Sequence, residues 1–147
     1  MSGRVVAVRH AGVSVRDLEK SLAFYRDGLG LTVRLQADES GPFLEEILGF
    51  PGVRVTTVKL GADQGQALVE LLRYDEPLPA SAPCREVYDF GSSHLALTVT
   101  DLDGLYHRLT EAGIVFRSPP RLSPDGRAKV AFCADPDGTP VELVEPC

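Results

Sequence analysis

The chain has 147 residues, enough for one domain or two very small modules with a core. Its 44% hydrophobic and 24% charged composition is that of a globular protein, and a net charge of −6 argues against a nucleic-acid partner, which needs a basic face. No apolar run approaches the ~20 residues that span a bilayer, and the start "MSGRVVAVRH" lacks the apolar stretch of a signal peptide, so a cytoplasmic protein without a membrane role is expected.

In chain order, "RHAGVSVRDL" (9–18) predicts a strand carrying His10, followed by a helix start at Asp17, whose short carboxylate can accept from free N–H groups of the first turn. "LEKSLAFYRDGLG" spaces Leu18, Leu22, Tyr25 and Leu29 by three and four, an amphipathic helix that ends at glycine. Strands are expected at about 31–36, 53–60 and 67–73, with a hairpin turn from Gly61 to Gly65 and an inserted helical turn or two at 42–49. The Pro-rich stretch 74–91 reads as a linker. "SHLALTVTDL" (93–102) then repeats the opening, with Asp101 in the place of Asp17. "LDGLYHRLTEAG" gives a second helix through Leu102, Leu105, Leu109 and Ala112, stopped by Gly113. Strands follow near 114–117, 128–134 and 139–145, with "DPDG" (Asp135 to Gly138) as a turn. Cys84, Cys133 and Cys147 are odd in number and form no C-x-x-C pair, which suits reduced, non-structural thiols.

His10 and His94 stand 94 − 10 = 84 residues apart, too far for a solenoid period and right for a duplicated module. Each half reads strand, helix, three strands. Alternation along a strand puts Ala11, Val13 and Val15 on one apolar face, suited to covering the module's own helix, and His10, Gly12 and Ser14 on the other. His94, Ala96 and Thr98 repeat that polar face with small neighbours that leave room. The last strand of each half carries a lone carboxylate among apolar residues, Glu70 in "ALVELLRY" and Glu142 in "PVELVEP". Such a group is costly to desolvate and needs a cation or strong donors. A single strand histidine is usually a satisfied polar group, and Glu70 alone could pair with an arginine such as Arg73. The repetition of both residues in both halves is what points to a site. His107 falls on the polar side of the second helix, and Arg127 and Lys129 share a strand face as hairpin charge or an anion contact.

The paired "H-x-G/A-φ-S/T-V-x-D-L" starts and the "DPDGTPVELVE" ending resemble the vicinal oxygen chelate superfamily, which includes glyoxalase I, methylmalonyl-coenzyme A epimerase, extradiol dioxygenases and drug-resistance proteins. The resemblance implies an α+β fold, with two tandem βαβββ modules forming a cup-shaped mixed sheet around a metal site. It implies a single glyoxalase-like domain over 1–147, with module one at 4–73, the linker at 74–91 and module two at 92–147. By position, the metal ligands would be His10, Glu70, His94 and Glu142, and relatives pair as homodimers.

Two imidazoles and two carboxylates suit one divalent ion per site: zinc, nickel, cobalt, manganese or iron. A small substrate with neighbouring oxygens would complete the coordination, and an α-carbonyl compound held so would form a stabilised enediolate. Glu142 or Glu70 would move the proton, Glu142 being favoured by likeness to glyoxalase I. Leu68, Leu72 and Val144 share the glutamates' faces and would line the cavity. The expected function is therefore a metal-dependent isomerase or lyase of the glyoxalase type. An iron-dependent extradiol-type dioxygenase and a metal-free drug-binding protein are the alternatives. The epimerases differ at two places: they carry glutamine where Glu70 stands, and an acidic residue near the third strand where this chain has Phe50 and Pro51, with Glu45 and Glu46 displaced onto the inserted helix.

Overall fold

The computed structural model describes residues 2–63, 65, 69–78, 80 and 86–147. Two four-stranded mixed sheets with few helices give an α+β fold of two modules. The first sheet has β1 (Ala11–Ser14), β2 (Thr32–Ser40), β3 (Arg54–Gly61) and β4 (Val69–Glu76) in the order β1-β4-β3-β2. The second has β5 (Leu95–Thr98), β6 (Arg121–Leu122), β7 (Ala128–Ala134) and β8 (Pro140–Pro146) in the order β5-β8-β7-β6. In each, the first strand runs parallel to the last, Gly12 beside Glu70 and Ala96 beside Glu142, while the remaining pairs are antiparallel. The parallel pairing carries the residues of the sequence repeat to matching places.

Alternation decides which residues make the core. Val58, Leu60, Val69 and Leu71 are fully buried in the first sheet, as are Val141 and Leu143 in the second. Each such side chain contributes roughly 1.5–3 kcal/mol by leaving water. Val13 and Val15 are buried while Gly12 and Ser14 are exposed, as the alternation predicts.

The helices are α1 (Leu18–Leu22), α2 (Pro42–Leu48) and α3 (Leu102–Glu111). The inserted segment is indeed helical: α2 enters through Pro42 and stops at Gly49, which takes the left-handed conformation. On α3, Leu102, Leu105 and Leu109 are buried, and the Asp101 carboxylate accepts from Gly104 N–H as the expected cap. α1 leads directly into a π-helical stretch, Ala23–Gly28. There the Leu29 N–H donates to the Phe24 carbonyl, five residues back. The wider turn buries both Phe24 and Tyr25, whose rings meet edge to face at 4.9 Å, where the simple helical spacing picked out Tyr25 alone.

Several expectations need correction. His10 and His94 lie immediately before β1 and β5 rather than within them. The strand expected at 114–117 is a single bridge, Phe116 to Cys133, and the edge of the second sheet is instead the two-residue β6. β4 continues to Glu76, into the segment read as linker. The compact units also depart from the repeat: one is Met1–Leu18 with Gly30–Pro79, the other Glu19–Leu29 with Ala80–Cys147. Residues Glu19–Leu29, most of the first helix, thus belong with the second sheet's unit. The cause is specific pairing. The buried Tyr25 hydroxyl donates to Asp135 Oδ2 at 2.8 Å, and Arg108 donates to the Gly28 carbonyl at 3.2 Å. No described helix is long and apolar enough to cross a membrane.

Candidate functional site

In the first unit, His10 Nε2 lies 2.6 Å from Glu70 Oε2. Glu70 is nearly buried and His10 about one-third exposed, so the pair opens to solvent on the imidazole side. The parallel β1–β4 pairing creates this contact, because the residue before β1 then reaches the outward side chain of β4. In the second unit, His94 Nε2 lies 3.2 Å from Glu142 Oε2 by the same construction. His94 also meets the ring of Phe132 edge-on at 5.4 Å. Among the described residues, no group of three or more His, Cys, Asp or Glu side chains is placed to hold a metal ion. Each unit supplies one His–Glu pair.

A third residue joins the first pair. Lys59 on β3 is in register with Glu70 on β4, and its Nζ lies 3.8 Å from Glu70 Oε1. Sequence reasoning passed over it, although the alternation of "VRVTTVKLG" places Lys59, Thr57 and Val55 on one face. Arg73 is not the partner of Glu70: it sits on the opposite face and pairs with Asp75 at 3.1 Å. A cleft of about 290 Å³ lies toward the other end of β2–β4, with Asp38, Arg54, Arg73 and Asp75 among its walls, and contains neither His10 nor Glu70.

Other polar residues have structural duties. Lys129 is held by Asp103 at 2.6 Å and by Glu145 at 3.8 Å, and Arg127 lies beside Asp125 on the hairpin. Glu145 accepts from the N–H groups of Asp101 and Leu102, so the second glutamate of "PVELVEP" caps the entry to α3. Glu45 accepts from Gly52 N–H and fastens the loop after α2, while His107 is exposed. Asp135 ties the "DPDG" turn by accepting from the N–H groups of Asp137 and Thr139. Burial raises the Asp135 carboxyl above the ordinary range, against the pull of the Tyr25 and backbone hydrogen bonds. Burial likewise raises the Tyr25 hydroxyl, and pushes the Cys133 thiol up to about 12, leaving it an inert core residue. Leu72 and Val144 are half-buried; Leu68 and Cys84 lie outside the described residues.

The donor set fits a divalent ion. Neighbouring ligands about 2.1 Å from a metal, at right angles, lie about 3 Å apart, close to the two His–Glu separations of 2.6 and 3.2 Å. A nitrogen and a carboxylate oxygen at that spacing can serve either as a hydrogen-bonded pair or as two ligands.

Comparison with known proteins bears on that choice. The sequence profile of the Glyoxalase/Bleomycin resistance protein/Dioxygenase superfamily matches residues 7–143. A probable lactoylglutathione lyase from Synechocystis sp. is 30% identical over 140 residues, 92% of this chain and 92% of that protein. The lactoylglutathione lyase of Salmonella typhimurium is 29% identical, covering 92% of this chain and 90% of the enzyme. Among solved structures, a glyoxalase family protein from Bacillus cereus superposes with a TM-score of 0.86 at 20% identity, covering 98% of this chain and 96% of that one. With its repeated His–Glu pairs and its two four-stranded sheets, the chain belongs to the Glyoxalase/Bleomycin resistance protein/Dioxygenase superfamily.

Proposed function

We propose that the protein is a divalent-metal-dependent lyase or isomerase of the glyoxalase type, acting on a small α-carbonyl substrate that chelates through neighbouring oxygens. The observation that carries this reading is the recurrence of one His–Glu pair in each unit, at 2.6 and 3.2 Å, in a chain similar to lactoylglutathione lyases. His10, Glu70, His94 and Glu142 would hold one ion, brought together by one chain or by two copies of it. When bound, the ion draws electron density from a substrate carbonyl and makes the adjacent C–H acidic. The protein's own part is to place a carboxylate beside that carbon. Glu142, on β8, is the more open of the two glutamates, with its side chain 24% exposed against 12% for Glu70. It is therefore the one assigned to move the proton, while Glu70, flanked by His10 and Lys59, is assigned to hold the ion.

The test is metal analysis of protein purified without chelators or added metal, with His10→Ala and His94→Ala alongside. Zinc, nickel or cobalt, with affinity lowered at least about ten-fold in both variants, is the expected result. Unchanged affinity in either variant refutes the four-ligand set. Bound iron with oxygen uptake assigns a dioxygenase instead, and failure to bind any divalent metal assigns a binding protein.

A further inference from the structure

The two half-sites are not equal. Glu70 and Glu142 occupy corresponding positions, yet the residue in register with Glu70 on the next strand is Lys59, and the one in register with Glu142 is Phe132. Lys59 lies on an interior strand, with Val58 and Leu60 on either side fully buried toward the other face. Its side chain is about one-third exposed, and its Nζ stands 3.8 Å from Glu70 Oε1, an ion pair longer than a hydrogen bond. Glu39, which shares this face, bonds to Thr57 and stands in register with Val55, four residues along β3 from Lys59. Its carboxylate therefore lies beside Thr57, two residues from Lys59, yet among the described residues the ion pair of Lys59 is with Glu70.

We propose that Lys59 binds an anionic oxygen at the chelating end of the substrate. The site then takes a small carboxylate with a neighbouring oxygen, a 2-hydroxy or 2-oxo acid, in preference to a neutral ketone. This rests on the metal-dependent reading above. A divalent ion is balanced by Glu70 and Glu142, and with Glu70 drawn to the ion, Lys59 leaves one positive charge uncompensated in a half-buried place. A monoanionic ligand restores neutrality, and an ammonium contact to a carboxylate is a charge-assisted hydrogen bond. Phe132, in register with Glu142, gives the second half-site an apolar surface where the first has an ammonium.

The test loads the protein with cobalt and follows the cobalt absorption during titration with glycolate or with hydroxyacetone, ligands of similar size that differ in charge. Wild type is expected to prefer glycolate by about ten-fold or more. Lys59→Met should lower that preference by about ten-fold, leaving the cobalt ion's own preference for a carboxylate, with cobalt affinity equal or higher because a repelling cation has been removed. Lys59→Arg should keep the preference. A preference left unchanged by Lys59→Met, or a variant that loses affinity for both ligands alike, overturns the proposal while the metal site stands. If wild type takes up no cobalt, the metal-dependent reading fails and the proposal with it.

Discussion

Tyr25→Phe isolates one buried hydrogen bond of the second unit. Phenylalanine keeps the ring and its edge-to-face contact with Phe24, so only the hydroxyl that donates to Asp135 Oδ2 at 2.8 Å is lost. Tyr25 is 0% exposed and Asp135 4%, which leaves no water to replace the donor. A hydrogen bond to a charged acceptor is worth about 1.5–3 kcal/mol, and that is the expected loss in urea unfolding at pH 8. The pH dependence has a fixed sign. Burial raises the folded pKa of Asp135, so the folded state holds this proton more tightly than the unfolded one. Asp135 therefore subtracts stability as pH climbs from the ordinary carboxylate range through its raised folded value. The Tyr25 hydrogen bond opposes that rise, and removing it moves the folded pKa higher still. The Tyr25→Phe penalty is accordingly larger at pH 8 than at pH 5. Asp135→Asn keeps an acceptor for the Asp137 and Thr139 N–H groups, and its amide can donate to the tyrosine oxygen. It should abolish this part of the pH slope. A Tyr25→Phe loss below about 0.5 kcal/mol, or one that shrinks as pH rises, refutes the assignment of the bond as a buried, charge-assisted one.

Glu142→Gln should keep measurable metal but lose exchange of the substrate α-proton with D2O, while Glu70→Gln weakens metal binding and retains some exchange; exchange surviving in both variants removes the carboxylate base. Light scattering at micromolar concentration should report a homodimer, about twice the 15.9 kDa chain mass, and a clean monomer refutes the pairing. In α3, a methyl group at Gly104 would stand 2.3 Å from Asp101 Oδ2, so Gly104→Ala should displace the cap. Its usual helix gain of about 1 kcal/mol is then offset by a cap loss of about 1 kcal/mol, and the midpoint of unfolding stays near wild type. In an Asp101→Ala background the same substitution should stabilise by about 1 kcal/mol, and identical effects in both backgrounds would show that the clash is absent.

The repeat was legible because it is written in side-chain types that the backbone turns into position. The His–Glu contacts follow from two histidines and two glutamates, expected from "RHAGVSV", "SHLALTV", "ALVELL" and "PVELVE", and from a parallel first–last strand pairing that the fold adds. What escaped depends on partners distant in sequence. Tyr25 is a core residue by spacing alone, but nothing near it names Asp135. Phe24 is buried because the helix widens, and 3.6-residue periodicity assumes that it does not. Lys59 looks like an ordinary exposed strand lysine until the β3–β4 register sets it opposite Glu70. The segment after Gly113 read as a strand from its apolar residues, whereas only Phe116 finds a bridging partner, Cys133.

The placement of Glu19–Leu29 in the second unit has a consequence for synthesis. The partners Tyr25 and Asp135 are 110 residues apart, so the helix leaves the ribosome long before its docking surface exists. At about 5–20 residues per second, that interval is about 5–20 s. During it, Phe24 and Tyr25 lack the packing they have in the finished fold, and a marginal helix of this length gains little stability by itself. The nascent first repeat is therefore not a finished module waiting for its twin. It lends its helix forward, and that helix reaches its final packing only when the strands of the second unit have been made.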